Sequence, residues 1–144
     1  RVSCVDPGHV RTEFASVRDT IEATKNNTGL VLTLALSYGS RKEILEAVKK
    51  TAAKVRDGKL RVEDIDSLEF ESQLYTHDLP EPDLLIRTSG EMRISNFLLY
   101  QIAYTELHFT NVLWPDFSEG DLLKAIIDFQ GRERRFGLIK EQIA

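Results

Sequence analysis

The sequence predicts an α/β fold with a mostly parallel central sheet and helices on both faces. Apolar runs of strand length alternate along the chain with segments in which apolar residues recur every three or four positions. Two of the runs, residues 30–36 and 82–86, are almost continuously apolar, as in strands that are covered on both faces. Such strands, separated by amphipathic helices, favour parallel pairing through crossover connections.

The composition is that of a single globular domain. The chain has 144 residues, 42% hydrophobic and 29% charged, which suits one domain with a modest core. Because it opens on Arg1 directly in strand-like sequence, we expect residues 1–144 to be one incomplete domain. The net charge of −4 argues against a nucleic-acid partner, so an anionic ligand needs a local cluster of basic side chains. The single cysteine, Cys4, and the absence of a span-length apolar run favour a cytoplasmic location.

The first half of the chain predicts two strands and three helices. Residues 1–5 predict a short strand, and residues 30–36 predict the first buried strand. A helix between them has one apolar face, formed by Val10, Phe14, Val17 and Ile21.

The next helix begins at a predicted capping box, in which Ser40 and Glu43 satisfy each other's backbone N–H groups. Residues 65–74 predict a further short helix. The buried stripe of the longer helix contains Ile44, Leu45, Val48, Ala52 and Val55.

The second half predicts two more strands, at residues 82–86 and 106–110, and two helices. Ser95 or Asn96 caps a helix between the strands, and its apolar residues are Phe97, Leu98, Leu99 and Ile102. A final helix opens with a cap-like pair of Ser118 and Asp121. Its inward-facing residues are Leu122, Leu123, Ile126 and Ile127.

The polar loop after the strand at 82–86 is the first candidate site. In an open parallel sheet, ligands bind beyond the carboxyl ends of the strands. Two guanidinium groups, Arg87 and Arg93, could converge there on one anion, with Gly90 allowing a tight turn. Ser95 adds a hydroxyl, and the N–H groups of the predicted helix add positive potential. The pattern alone leaves phosphate binding and a solvated polar loop equally open.

Glu106 and His108 are candidates of a second kind. The Glu106 carboxylate could help to hold Mg²⁺ against a phosphate, although such a glutamate is more often a surface residue paired with a neighbour. His108 lies in alternating apolar sequence and is interpreted as a packed, hydrogen-bonded histidine.

Together these residues carry the pattern of a known family. Residues 82–101, PDLLIRTSGEMRISNFLLYQ, resemble the signature of the cis-prenyltransferases of the undecaprenyl diphosphate synthase type, and residues 102–117, IAYTELHFTNVLWPDF, continue the match. Upstream, SYGSR at 37–41 is similar to the family's Tyr-Gly-Gly-Arg turn, and RFG at 135–137 to its Arg-x-Gly motif. The resemblance extends over about residues 26–137.

The resemblance implies a cis-prenyl chain elongation enzyme. Family members condense an allylic substrate, farnesyl diphosphate, with successive molecules of isopentenyl diphosphate. They use Mg²⁺, form homodimers, and have a parallel sheet around an apolar tunnel. The undecaprenyl type makes the lipid carrier for bacterial cell-wall glycans, a product that allows a peripheral position at the membrane.

The resemblance also implies roles for individual residues. Glu106 contributes to the Mg²⁺ site, and Leu30 matches a tunnel position that influences product length. Arg135 and Gly137 reach the isopentenyl diphosphate site across the dimer. The diphosphate of isopentenyl diphosphate is held by Arg87, Arg93, Ile94 and Ser95.

Three departures from the family pattern matter. Met92 stands where some members have a metal-proximal histidine, and a thioether is a poor Mg²⁺ ligand. Ser40 replaces the second glycine of the turn. The family's Asp-Gly-Asn-Gly-Arg loop, which holds the allylic diphosphate, is not in this sequence, so we expect no catalytic residue in this segment and no activity of the chain alone. A non-catalytic partner subunit of a heteromeric enzyme stays open as an alternative, and an unrelated phosphate-binding domain requires an accidental match.

Overall fold

The computed structural model describes residues 2–5 and 15–134, and the side chains from residue 16 onward. The chain divides into two compact units, Arg1–Pro80 and Glu81–Ala144. The α/β class and the parallel pairing of strands are confirmed, since both described strand pairs are parallel.

The first unit contains the strands β1 (Val2–Val5) and β2 (Leu32–Ala35), which pair with Val2 opposite Leu32. Helix α1 (Ala15–Thr24) connects the two strands and packs against β1. Its predicted face members Val10 and Phe14 lie outside the described residues.

Two further helices complete the first unit. Helix α2 (Ser40–Arg56) packs against the short helix α3 (Ser67–Glu71), which Asp66 caps by accepting the Glu69 N–H at 2.8 Å. A 2.7 Å ion pair between Lys54 and Glu69 joins the two helices. The predicted helix at 65–74 is therefore confirmed in position but is shorter.

The second unit contains β3 (Leu84–Arg87) and β4 (Glu106–Phe109), with Leu84 opposite Glu106 and Arg87 opposite Phe109. Helix α4 (Glu119–Gln130) packs against β4. Its predicted cap is confirmed as a full capping box: Ser118 N donates to Asp121 Oδ2 at 3.1 Å, and Asp121 N to Ser118 Oγ at 3.4 Å.

The predicted helix after Ser95 is wrong. Residues 95–104 form turns, and positive φ values at Ser95 (53°), Asn96 (62°) and Leu98 (46°) interrupt a helical path. A right-handed helix cannot contain residues in the left-handed region. One hydrogen bond of the α-helical type, from Ile102 N to Leu98 O at 3.0 Å, is present within these turns.

The capping box predicted at the start of α2 is also wrong. The N-cap position is Gly39, which has no side chain to accept a hydrogen bond, and Ser40 is already the first helical residue. Glu43 is fully buried and receives hydrogen bonds from the Tyr38 hydroxyl and from Tyr75 N, the latter at 2.8 Å. A tertiary contact therefore takes the carboxylate that the local pattern assigned to the cap.

Three predicted apolar faces are less covered than expected. In α2, Leu45, Val48 and Ala52 of the predicted buried stripe are exposed. Leu30 is 86% exposed, and Val31 and Leu32 are exposed as well, so β2 is not covered on both faces by the described residues. In α4, Ala125 is buried but Leu122, Leu123 and Ile127 are exposed. Within each unit, the described layers are too few to cover the second side of these elements.

Candidate anion and metal site

The loop after β3 is held by main-chain hydrogen bonds to the segment after β4. Thr110 N donates to Arg87 O at 2.9 Å, Gly90 N to Thr110 O at 2.9 Å, and Ser89 N to Val112 O at 2.8 Å. These bonds satisfy backbone groups that a free loop would leave to water. The turn that presents Arg87 is therefore part of the strand framework.

Gly90 is required by this turn, as its sequence position suggested. Its φ of +67° lies in the left-handed region, where glycine carries no Cβ penalty. A Cβ at this position would also lie 2.9 Å from Asn111 Oδ1.

Arg87 has an unusual environment for a guanidinium group. The side chain is half-buried, and its Nε is enclosed without a hydrogen-bond partner among the described residues. Buried N–H groups in native proteins nearly always have a partner, and each unpartnered one costs free energy. An acceptor such as a phosphate oxygen would satisfy this Nε.

Arg93, Ile94 and Ser95 follow on the turn. The Arg93 side chain is 68% exposed and forms an ion pair with Glu91, so an anion must compete with that carboxylate. Ile94 is half-buried and Ser95 is exposed. Because no helix begins here, the positive potential expected from helical N–H groups is not available at Ser95, which is a correction to the sequence-based argument.

Glu106 begins β4 and belongs to a network of charged side chains. Arg132 Nη1 donates to Glu106 Oε2 at 2.9 Å and to Leu107 O at 3.0 Å. Arg132 Nη2 donates to Asp128 Oδ2 at 2.5 Å, and His108 Nδ1 lies 2.9 Å from the same oxygen. The interpretation of His108 as a hydrogen-bonded, partly buried histidine is consistent with this contact.

The pKa values of two members reflect the network. The hydrogen bonds that Arg132 donates to Glu106 and then to Asp128 raise the pKa of Arg132. The hydrogen bond with His108, followed by that with Arg132, lowers the pKa of Asp128. Both shifts favour the charged forms, because each charge is stabilised by a partner of opposite sign or by a hydrogen bond.

The strand register separates the carboxylate from the arginine loop. Leu84 lies opposite Glu106 and Arg87 opposite Phe109, so Glu106 and Arg87 are three steps, or about 10 Å, apart along the strands. Glu106 lies at the amino end of β4, whereas Arg87 lies at the carboxyl end of β3. The alternation of strand side chains also directs the two groups to opposite faces of the sheet, because Arg87 is three residues beyond Leu84, the strand partner of Glu106.

Glu106 suits Mg²⁺ as a single ligand. Arg132 binds Oε2, while Oε1 has no hydrogen-bond partner among the described residues. Mg²⁺ in proteins often takes one or two carboxylates and completes its shell with water and substrate phosphates. Residues 16–134 contain no cluster of three or more histidine, cysteine or acidic side chains that could hold a metal alone. Met92 is 80% exposed and offers only a thioether.

The remaining predicted site residues are Leu30, Arg135 and Gly137. Leu30 is solvent-exposed in the first unit. Arg135 and Gly137 lie outside the described residues. The ion pair between Arg132 and Asp128 was not predicted from the sequence, although a spacing of four residues at a helix end is a recognisable signal for such a pair.

The second unit also has an apolar cleft of about 420 Å³. Ile86 and Thr88 line it from the end of β3, and Trp114, Phe117 and Leu122 line it from the following segments. Ile86 and Thr88 flank Arg87 in sequence, and alternate residues of an extended strand point to opposite faces. The cleft therefore belongs to the face opposite Arg87.

None of the helices in the described part of the chain is long and apolar enough to cross a membrane.

The fold and site define an α/β protein with parallel strands, an anion-binding candidate loop and a carboxylate suited to one divalent cation. A family model described as "Putative undecaprenyl diphosphate synthase" matches residues 9–137. The chain belongs to this prenyltransferase family, which confirms the resemblance carried by residues 82–117.

Individual relatives agree. The chain is 52% identical over 128 residues to an isoprenyl transferase from Geobacter sulfurreducens, covering 89% of this chain and 52% of the relative. It is 55% identical over 131 residues to an isoprenyl transferase from Bacillus anthracis, covering 91% of this chain and 50% of that protein. The chain thus spans about half the length of the curated relatives it matches.

Solved structures share the fold. Lavandulyl diphosphate synthase from Lavandula x intermedia, in complex with dimethylallyl diphosphate, matches with a TM-score of 0.85 and 42% identity over 95% of this chain and 60% of that one. A probable undecaprenyl diphosphate synthase from Campylobacter jejuni matches with a TM-score of 0.75 and 33% identity over 95% and 62%.

Proposed function

We propose that this chain is the C-terminal part of a cis-prenyltransferase that condenses farnesyl diphosphate with successive molecules of isopentenyl diphosphate to make undecaprenyl diphosphate. Family membership over residues 9–137 supports the reaction class. The observation that carries the substrate class is the enclosed Nε of Arg87, which has no partner among the described residues and which a phosphate oxygen would satisfy.

The arginine loop binds the diphosphate of isopentenyl diphosphate in this proposal. Arg87 and Arg93 supply charge-assisted hydrogen bonds, with Ile94 and Ser95 beside them. Arg135 and Gly137 complete the site from the partner subunit of a homodimer. These groups bind and orient the nucleophilic substrate, and no residue of this chain ionises the allylic one.

Mg²⁺ is the proposed cofactor, with Glu106 as its ligand in this chain. A bound Mg²⁺ would supply neutralisation of diphosphate charge. Glu106 itself offers Oε1 while Oε2 is held by Arg132.

The homodimer and the remaining assignments are parts of the same proposal. Trp114, Leu113 and Tyr104 are exposed apolar or aromatic residues, and such a surface suits an interface repeated on both subunits. Leu30 influences product length. We also propose that residues 1–144 are one incomplete domain, which a single family model over residues 9–137 supports, and that the protein is cytoplasmic and peripheral to the membrane, where its product supplies the cell-wall lipid carrier.

The test uses the full-length enzyme with farnesyl diphosphate, radiolabelled isopentenyl diphosphate and Mg²⁺. Arg87→Ala should raise KM for isopentenyl diphosphate and lower kcat/KM by one to two decades, since a charged hydrogen bond contributes about 1.5–3 kcal/mol. Arg56→Ala is the control, because Arg56 is exposed and paired with Asp57. An unchanged KM in Arg87→Ala would remove the diphosphate site from this loop.

A further inference from the structure

We propose that Arg132 is the positioning residue of Glu106: it fixes one carboxylate oxygen to the strand and leaves the other directed to a divalent cation. This inference rests on the proposed function, in which Glu106 is a metal ligand. Arg132 follows α4 and contacts no proposed substrate group, so its role is exerted through Glu106.

The geometry holds the carboxylate from one side. Arg132 Nη1 reaches both Glu106 Oε2 at 2.9 Å and Leu107 O at 3.0 Å, which ties the side chain of Glu106 to the backbone of its own strand. Glu106 and Leu107 lie 26 and 25 residues before Arg132 in the sequence, so these hydrogen bonds join the end of α4 to the start of β4. Glu106 Oε1 has no partner within the described part of the chain.

Arg132 is itself held from behind. Its Nη2 binds Asp128 Oδ2 at 2.5 Å, and His108 Nδ1 contacts the same oxygen at 2.9 Å. The planar guanidinium thus reaches three acceptors at once, which a lysine ammonium on a flexible stem does not reproduce. The side chains of Glu106 and Arg132 are only 28% and 29% exposed, so solvent does little to loosen the arrangement.

Charge decides whether Arg132 helps or competes with a cation. An arginine beside a metal ligand alone would cancel its charge. Here two carboxylates, Glu106 and Asp128, share one guanidinium, so these three groups carry a net charge of −1. The cluster therefore stays attractive to a cation while the orientation of Glu106 is fixed. Hydrogen-bonded partners that orient metal ligands commonly affect metal affinity by 10–100-fold.

The experiment measures Mn²⁺ binding to the full-length enzyme by the loss of the free-ion electron paramagnetic resonance signal, without substrates. Glu106→Gln defines which part of the titration depends on this carboxylate. Arg132→Gln should weaken that part roughly 10–100-fold, and the double variant should be no weaker than Glu106→Gln alone. Arg132→Lys should recover part of the affinity, and Asp128→Asn should cause a smaller loss than Arg132→Gln.

Arg134→Gln is the matched control, because Arg134 is an arginine two residues further on that pairs with Asp83 at 2.5 Å instead. It should leave Mn²⁺ binding unchanged. Circular dichroism checks folding, and if Arg132→Gln fails to fold, Arg132→Lys decides the question.

Three results would overturn the inference, and they are distinguishable. Wild-type or tighter Mn²⁺ binding by Arg132→Gln, or wild-type binding by Arg132→Lys, would show that Arg132 does not position the ligand. Unchanged binding in Glu106→Gln would remove the metal assignment of Glu106 and the role of Arg132 with it. Loss of the proposed function would appear separately, as a wild-type enzyme that binds Mn²⁺ but forms no prenyl product.

Discussion

Glu43 in the first unit and Glu106 in the second both lie in tertiary contacts, but in opposite ways. Glu43 in the first unit is fully buried and accepts hydrogen bonds from the Tyr38 hydroxyl and the Tyr75 N–H. Glu106 in the second unit is partly exposed and is paired with Arg132 through one oxygen only. A carboxylate whose oxygens are occupied inside the protein stabilises the fold, whereas one with an accessible oxygen can bind a ligand. The comparison predicts a stabilising role for Glu43 and, under the proposed function, ligand binding for Glu106.

The largest expected effect is the complete absence of prenyl-transfer activity in the 144-residue chain, which contains both glutamates. The 144-residue chain alone should form no polyprenyl diphosphate, because departure of the allylic diphosphate needs preorganised donors and metal that this segment does not supply. The assay incubates it with farnesyl diphosphate, radiolabelled isopentenyl diphosphate and Mg²⁺, followed by lipid extraction. Sustained product above a blank would mean that the residues named here build the catalytic site.

The next effect concerns Glu43. In the full-length protein, Glu43→Ala should lower the free energy of unfolding by about 3 kcal/mol, since it leaves the partly buried Tyr75 N–H and the Tyr38 hydroxyl without this acceptor. Urea unfolding followed by circular dichroism measures the change. Glu46→Ala, three residues further along α2 and paired on the surface with Lys49, is the control and should leave the midpoint nearly unchanged. Equal effects of the two variants would end the structural assignment of Glu43.

A smaller effect is expected at the turn that presents Arg87. Gly90→Ala should cost roughly 1–2 kcal/mol of stability because of the left-handed backbone, with an added contact to Asn111. Its kcat/KM for isopentenyl diphosphate should fall as well, because the turn carries Arg87. Thermal unfolding and steady-state kinetics measure the two effects. Gly29→Ala is the control, since Gly29 has open space around its Cβ position. A Gly90→Ala variant as stable as the control would contradict the strain at this turn.

The smallest expected effect is the change in stability caused by Glu106→Gln, which is compared directly with that of Glu43→Ala. Glu106→Gln should change the free energy of unfolding by no more than about 1 kcal/mol, as expected for a partly exposed ion pair. Chemical denaturation of the full-length protein measures it. A loss as large as that of Glu43→Ala would make Glu106 a structural residue, and the contrast between the two units would disappear.

Much of the candidate site was readable in the sequence because it depends on local chemistry. Gly90 has the positive φ that a tight turn after a strand requires. Ser118 and Asp121 form the capping box that their three-residue spacing predicts. The α/β class follows from the alternation of apolar runs and amphipathic segments, and the parallel strand pairs confirm it.

Other features depended on contacts between residues distant in sequence. The pattern at Ser40 and Glu43 predicted a capping box that does not form: Gly39 is the N-cap, and Glu43 accepts a hydrogen bond from Tyr75 N, 32 residues away. The apolar residues after Ser95 suggested a helix, whereas the chain forms turns with left-handed residues. Local propensity differs between conformations by only a few tenths of a kcal/mol per residue, so tertiary packing decides such segments.

The sequence by itself determined the α/β class, the family motif and the residue types available for binding a diphosphate and a cation. The tertiary structure decided which of these groups have partners. It buried Glu43, left Arg87 Nε without a partner among the described residues, and joined Glu106 to Arg132 across 26 residues. Residue type defines what a side chain can donate or accept, but only the folded chain brings distant donors within about 3 Å of an acceptor.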